Sequence, residues 1–198
     1  MLIRDPIKRA YSNYLHLVRE DREKLSFYEA LKMEDDRMNK KYSDFWYYRF
    51  NSMYYDKIKK FDDAFDQMLI LTTESLKENP EKTMKLIYKF LQVNEDFRPQ
   101  SIQEEYNTGG VYKPNLITKF FFRQSRLRSF IKKIMPITPE MKKIKQKVLK
   151  NFKEETPEIE PEAEQFLIKY LKKDVENLRN DFDIDLTLWN NKLIDSNE

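Results

Sequence analysis

Leu2-Ile3 is a short apolar run that stops on Arg4-Asp5-Pro6, and an amphipathic stretch begins in the same step. No other feature narrows the fold as much. Asp5 can accept hydrogen bonds at a helix start, Pro6 suits a first helical turn, and the residue before a proline is steered away from helix. Apolar positions then recur at 7, 10, 11, 14, 17 and 18, leaving Arg9, Ser12, His16 and Arg19 on the opposite stripe. The segment reads as strand end, sharp turn, helix. The same order returns later. Gln67 to Thr72 is a short apolar run bounded by polar residues, as in a buried strand. Glu74 to Val93 then supplies helix: Asn79 caps, Pro80 starts, and Met84, Ile87, Phe90 and Leu91 keep the period. Strand followed by helix, twice, predicts an α/β fold with a parallel sheet.

The rest of the chain reads mainly as helix. Ser26 caps a short helix with Phe27, Ala30 and Leu31 inward, and another is expected over about 50–61. Residues 42–55 hold Tyr42, Phe45, Trp46, Tyr47, Tyr48, Phe50, Tyr54 and Tyr55. Such a stripe is more often core or a helix–helix seam than a platform for stacking an adenine ring. Trp46 and Trp189 are most economically core. Residues 95–115 read as loop and contain both glycines of the chain, Gly109 and Gly110, side by side. That placement suggests a tight turn, or backbone N–H groups turned to an anion. Amphipathic helices are expected near 116–134, 139–152 and 161–180, broken by Pro136, Pro139, Pro157 and Pro161.

Composition excludes much chemistry. With no Cys in 198 residues there is no disulfide, thiolate metal site, Cys nucleophile or iron–sulfur cluster. One His leaves no His-rich zinc site, so no metal is expected. No apolar run reaches the eighteen or so residues that a spanning helix needs, and the first residues do not read as a signal peptide. The expectation is a cytoplasmic, bacterial-like protein. The net charge of +3 hides an asymmetry: residues 113–153 carry thirteen Lys/Arg against Glu140 alone, a net +12. Residues 154–164 follow with six Glu. A basic block of that size suits an anionic partner, or simply the solvated faces of amphipathic helices.

Arg4 and Ser12 are the residues that point to chemistry. They lie eight positions apart across a strand-to-helix turn, which offers free backbone N–H groups and a positive helix end to an anion. Arg4 adds a fork matched to phosphate, and the Ser12 hydroxyl can donate a further bond. The wider string, Arg4-Asp-Pro-Ile-Lys-Arg-Ala-Tyr-Ser12-Asn-Tyr-Leu-His16, closely resembles the 3′-phosphate-binding motif of the sulfotransferases that use 3′-phosphoadenosine 5′-phosphosulfate (PAPS). Ser52-Met-Tyr54 and Phe65 to Leu71 look like that family's Gly-x-Tyr helix and the strand after it, with Ser52 in place of Gly. Glu74-Ser-Leu76, Asn79-Pro80, Thr83 and Phe90-Leu-Gln-Val93 resemble its next stretch, with Gln92 in place of Gly. Asn107 to Lys113 looks like the later loop ending in a basic residue, and Tyr170 to Asp174 with Asp185 to Trp189 resembles the ending of bacterial members.

The resemblance implies that Arg4 and Ser12 hold the donor's 3′-phosphate, with Lys113 and the Gly109-Gly110 loop approaching the nucleotide. It implies PAPS as sulfuryl donor and an acceptor bearing a hydroxyl or amine, a saccharide among the candidates. Neither the family's 5′-phosphosulfate loop nor its catalytic base has a counterpart in the sequence. The expectation is therefore the helix-rich C-terminal part of a P-loop-like parallel-sheet sulfotransferase fold. Residues 1–190 would form a partial domain lacking its N-terminal strand, loop and helix, with an exposed apolar sheet edge, and 191–198 would be a tail. Such a chain would be inactive alone, with no catalytic residue of its own, and whether it acts as an enzyme stays open. Two other readings remain beside it. One is a non-catalytic remnant or partner subunit. The other is a basic helical nucleic-acid-binding protein, which the Lys-heavy block, free of any base-reading motif, does not favour.

Overall fold

In the computed structural model, which describes residues 1–100, 102, 111–113, 118, 122, 138, 148–149 and 151–194, strand β1 (Leu2–Ile3) turns at Arg4 into helix α1 (Pro6–Arg19). Asp5 caps α1 by accepting from the Lys8 N–H at 2.9 Å. The apolar stripe read from the sequence packs inward, with Ile7, Ala10, Tyr11 and Leu17 buried. Strand β2 (Leu71–Thr72) lies parallel to β1, pairing Leu2 with Leu71 and Ile3 with Thr72. Helices α6 (Thr73–Glu78) and α7 (Pro80–Phe90) follow, capped by Thr72 and Asn79. The chain is thus helix-rich α/β with a short parallel sheet.

Between these units come α2 (Phe27–Lys32), α3 (Glu34–Asn39), a 3-10 turn (Asp44–Trp46), α4 (Tyr48–Ser52) and α5 (Tyr55–Asp62). Ser26 and Glu29 close a reciprocal capping box on α2. Two expectations change. The helix expected over 50–61 is interrupted at Met53-Tyr54, and the cause is distant in sequence. Asp174 accepts from the Tyr54 and Tyr55 N–H groups at 2.7 and 3.1 Å, so α5 begins anew against its carboxylate. The strand expected over 67–72 is a ladder only at 71–72, where it pairs with β1. Met68 and Ile70 pack, partly buried, against the core.

The core is organised by α8 (Pro161–Asp181), whose buried Ala163, Leu167, Leu171, Val175 and Leu178 recur every three to four residues. It packs against α1, α2, α4 and α5. Helix α9 (Asn191–Ile194) folds back on α8 and buries Leu193, so packing continues to residue 194. Trp189 is core, whereas the aromatic stripe divides. Tyr48 and Tyr54 are buried, but Tyr42, Phe45 and Phe50 stay exposed. Cations partly cover the outer rings: Arg22 lies 4.4 Å from the Trp46 centroid, and Lys57 lies 4.5 Å from that of Phe50.

The 95–115 stretch, expected as loop, contains strand β3 (Val111–Tyr112), which pairs antiparallel with β4 (Lys153–Glu154). Neither dipeptide shows an alternation long enough to announce a strand. Gly109 and Gly110, with nearly all of the helices expected near 116–134 and 139–152, lie outside the described residues. The sheet edge does expose apolar surface. Beside it runs a groove of about 310 Å³ lined by Leu2, Leu71, Leu76, Ile87, Phe90 and Leu91 among others. Leu2 is 52% exposed and Leu91 58%.

Candidate functional site

Four residues far apart in sequence brace the turn between β1 and α1. Asp5 is fully buried, and its second carboxylate oxygen accepts from the Asn190 N–H at 2.8 Å. Its own N–H donates to Glu74 at 3.2 Å. Glu74 also accepts from the indole N–H of Trp189 at 3.2 Å, which ties the ends of β1 and β2 to the C-terminal segment. The Tyr54 hydroxyl donates to the Arg4 carbonyl at 2.9 Å. Burial pushes the Tyr54 phenol up to about 12 against the opposing Arg9 charge, so it remains a neutral donor.

The consequence is electrostatic. Both carboxylates nearest the turn, Asp5 and Glu74, are turned inward onto N–H donors and do not neutralise Arg4. Among the described residues the Arg4 guanidinium has no hydrogen bond or ion pair, and the exposed Ser12 hydroxyl has no partner. Both groups remain accessible, as an anion-binding pair requires. The backbone therefore fixes Arg4 while its side chain stays free.

Lys113 follows β3, and β3 packs on α1, the helix that carries Ser12. The Lys113 backbone is held by its N–H to the Phe152 carbonyl at 2.9 Å and by the Thr118 hydroxyl at 2.7 Å, while its side chain is exposed. Lys113 thus follows a strand that packs on α1, the helix that carries Ser12 and that Arg4 precedes. Gly109 and Gly110 fall outside the described residues. His16, one turn beyond Ser12, is occupied on its own helix: Nδ1 lies 2.7 Å from Arg19 and Nε2 3.6 Å from Glu20. No group of three or more His, Cys, Asp or Glu side chains suited to a metal occurs among the described residues. No helix among them is long and apolar enough to cross a membrane.

Two features of the site escaped the sequence reading. The brace from Asn190 and Trp189 is one, since nothing local marks a contact across 185 residues. The other is Ser52. Buried at the end of α4, it donates to the Tyr48 carbonyl at 2.8 Å and accepts from Arg9 at 3.4 Å.

A family model described as the sulfotransferase family matches residues 1–97. Among solved structures the chain is similar to a sulfotransferase from Alicyclobacillus acidocaldarius, with a TM-score of 0.61 and 24% identity. The match covers 95% of this chain and 55% of that one, so the chain spans little more than half the length of its structural neighbour. No curated protein sequence matches it.

Proposed function

Because the sulfotransferase family model matches residues 1–97 and the fold is similar to that of a sulfotransferase, we propose that the chain binds the nucleotide of PAPS through Arg4 and Ser12. The observation that carries this reading is the Arg4–Ser12 pair, fixed in backbone and unpaired in side chain, within the family-matched segment. Phosphate would accept from the Arg4 fork and from the Ser12 hydroxyl, with Lys113 and the Gly109-Gly110 loop on the nucleotide's flank. These groups bind and align; none is assigned to bond making.

In the reaction, an acceptor hydroxyl or amine attacks the sulfur of the phosphosulfate and the sulfur–oxygen bond to phosphate breaks. The acceptor loses its proton, and 3′,5′-adenosine diphosphate (3′,5′-ADP) leaves. Such a displacement depends on positioning and charge stabilisation, as phosphoryl transfer does. A saccharide bearing anionic groups is the acceptor class that the +12 block of residues 113–153 favours. The sequence has no stretch like the family's 5′-phosphosulfate loop, so in this reading the chain's own share is the 3′ side of the donor site.

Calorimetric titration with 3′,5′-ADP tests this directly. Wild type is expected to bind, and the Arg4→Ala/Ser12→Ala double variant to lose at least about 100-fold in affinity, the scale of two charge-assisted hydrogen bonds. Equal binding by a folded double variant would place the nucleotide elsewhere. No binding by folded wild type would overturn the reading.

A further inference from the structure

Arg9 stands one turn before Ser12 on the same face of α1, and among the described residues it has no carboxylate partner. Its one hydrogen bond runs from Nη1 to the Ser52 hydroxyl at 3.4 Å. Ser52 is itself oriented: its proton goes to the Tyr48 carbonyl at 2.8 Å, which leaves its oxygen lone pairs to face Arg9. A glycine at position 52, as in the resembled family pattern, would offer Arg9 nothing.

The charges around Arg9 explain what it could hold. Its cation opposes the upward shift of Tyr54, whose hydroxyl bonds the Arg4 carbonyl. Burial, with the neighbouring Arg9 charge, also holds the Lys57 ammonium below its ordinary value. Lys57 spends its protons on the Phe50 and Met53 carbonyls at 2.5 and 2.8 Å. The surrounding carboxylates are engaged as well: Asp5 with the Lys8 and Asn190 N–H groups, Glu74 with the Asp5 N–H and Trp189, and Asp174 with the Tyr54 and Tyr55 N–H groups. Asp5, Glu74 and Asp174 are thus occupied on other donors, and none of them pairs with Arg9. Of the five guanidinium N–H donors of Arg9, one is used among the described residues, on Ser52.

We propose that Arg9 is a further anion-binding residue of the nucleotide site, engaging a phosphate beside Arg4 and Ser12, and that Ser52 is the positioning residue that holds its guanidinium in place. This rests on the nucleotide-binding reading above. Removing the Arg9 charge would weaken binding and its sensitivity to salt together. Removing only the Ser52 hydroxyl would leave the charge in place but less well aimed.

The test is titration of folded wild type, Arg9→Gln, Arg9→Lys, Ser52→Ala and Arg4→Ala with 3′,5′-ADP at several salt concentrations, folding being checked by thermal melting. Arg9→Gln is expected to bind about tenfold more weakly with a shallower salt dependence, and Arg9→Lys to recover part of the loss. Ser52→Ala is expected to bind about threefold more weakly with the wild-type salt dependence. A merely structural Arg9 would lower the melting temperature without changing the salt dependence. Arg9→Gln binding like wild type, while Arg4→Ala does not bind, would remove Arg9 from the site and leave the nucleotide reading standing. If Arg9→Gln does not fold, Ser52→Ala decides, and binding equal to wild type overturns the proposal. Folded wild type that does not bind overturns both.

Discussion

Replacing Glu23 with alanine is expected to remove about 3–5 kcal/mol of folding stability, a large share of what a domain of this size possesses. Glu23 is buried and accepts from Arg37 at 2.6 and 3.1 Å, from the Tyr48 hydroxyl at 2.7 Å, and from the Lys24 and Leu25 N–H groups at 3.0 and 3.2 Å. Alanine would strand the buried Arg37 cation and leave the Tyr48 hydroxyl without an acceptor. Glutamine keeps the shape but not the charge. The network also sets a pH dependence. Burial pushes the Glu23 carboxyl up, but the bonds from Arg37, Tyr48, Leu25 and Lys24 outweigh it and hold it below its ordinary value of 4.5. A folded pKa below the unfolded one means that the stabilisation is complete above about pH 4.5 and is lost as pH falls through the folded value. Urea midpoints of wild type should therefore drop on acidification below pH 4.5, and those of Glu23→Gln should drop less. An equal drop in both would show that this network does not set the acid limb.

Asp5→Ala is expected to cost about 2–4 kcal/mol and, unlike Glu23→Ala, to reach the nucleotide site. The carboxylate serves two N–H groups, Lys8 at the start of α1 and Asn190 near the C-terminus, and its loss leaves both without that partner in a partly buried place. Arg4 is the preceding residue, held only through its backbone, so a loosened turn misplaces the guanidinium. Affinity for 3′,5′-ADP should fall about tenfold under conditions where the variant is still folded. Asp5→Asn, with a single acceptor oxygen, should fall between. Denaturation and calorimetry on the same preparations check both effects. A stable Asp5→Ala with wild-type affinity would mean that the brace does not align the site.

What was legible in the sequence is what local chemistry controls. Asp5-Pro6, Ser26 and Asn79-Pro80 each mark a helix start that the structure contains, because a cap is decided within four residues. The spacing of Leu167, Leu171, Val175 and Leu178 likewise discloses the buried face of α8. Distant partners were not legible. Asp174 sets the start of α5 from 120 residues away. β3 and β4 exist only because they pair with each other. Gln92 shows the limit of residue-by-residue reading. It takes φ 55°, a conformation that glycine enters without penalty, at the position where the resembled family has glycine. At the site, the sequence offered Arg4 and Ser12 with their spacing. The inward turn of Asp5 and Glu74 that leaves Arg4 unpaired is visible only in the folded chain.

The central claim is that Arg4 and Ser12 recognise a 3′-phosphate, and a comparison of two ligands isolates that group. Titration of wild type with 3′,5′-ADP and with 5′-AMP differs only by the 3′-phosphate. The expected result is that 3′,5′-ADP binds at least about 30-fold more tightly, the scale of charge-assisted hydrogen bonds from Arg4 and Ser12, and that Arg4→Ala removes most of the difference. Equal affinities for the two nucleotides would contradict the claim.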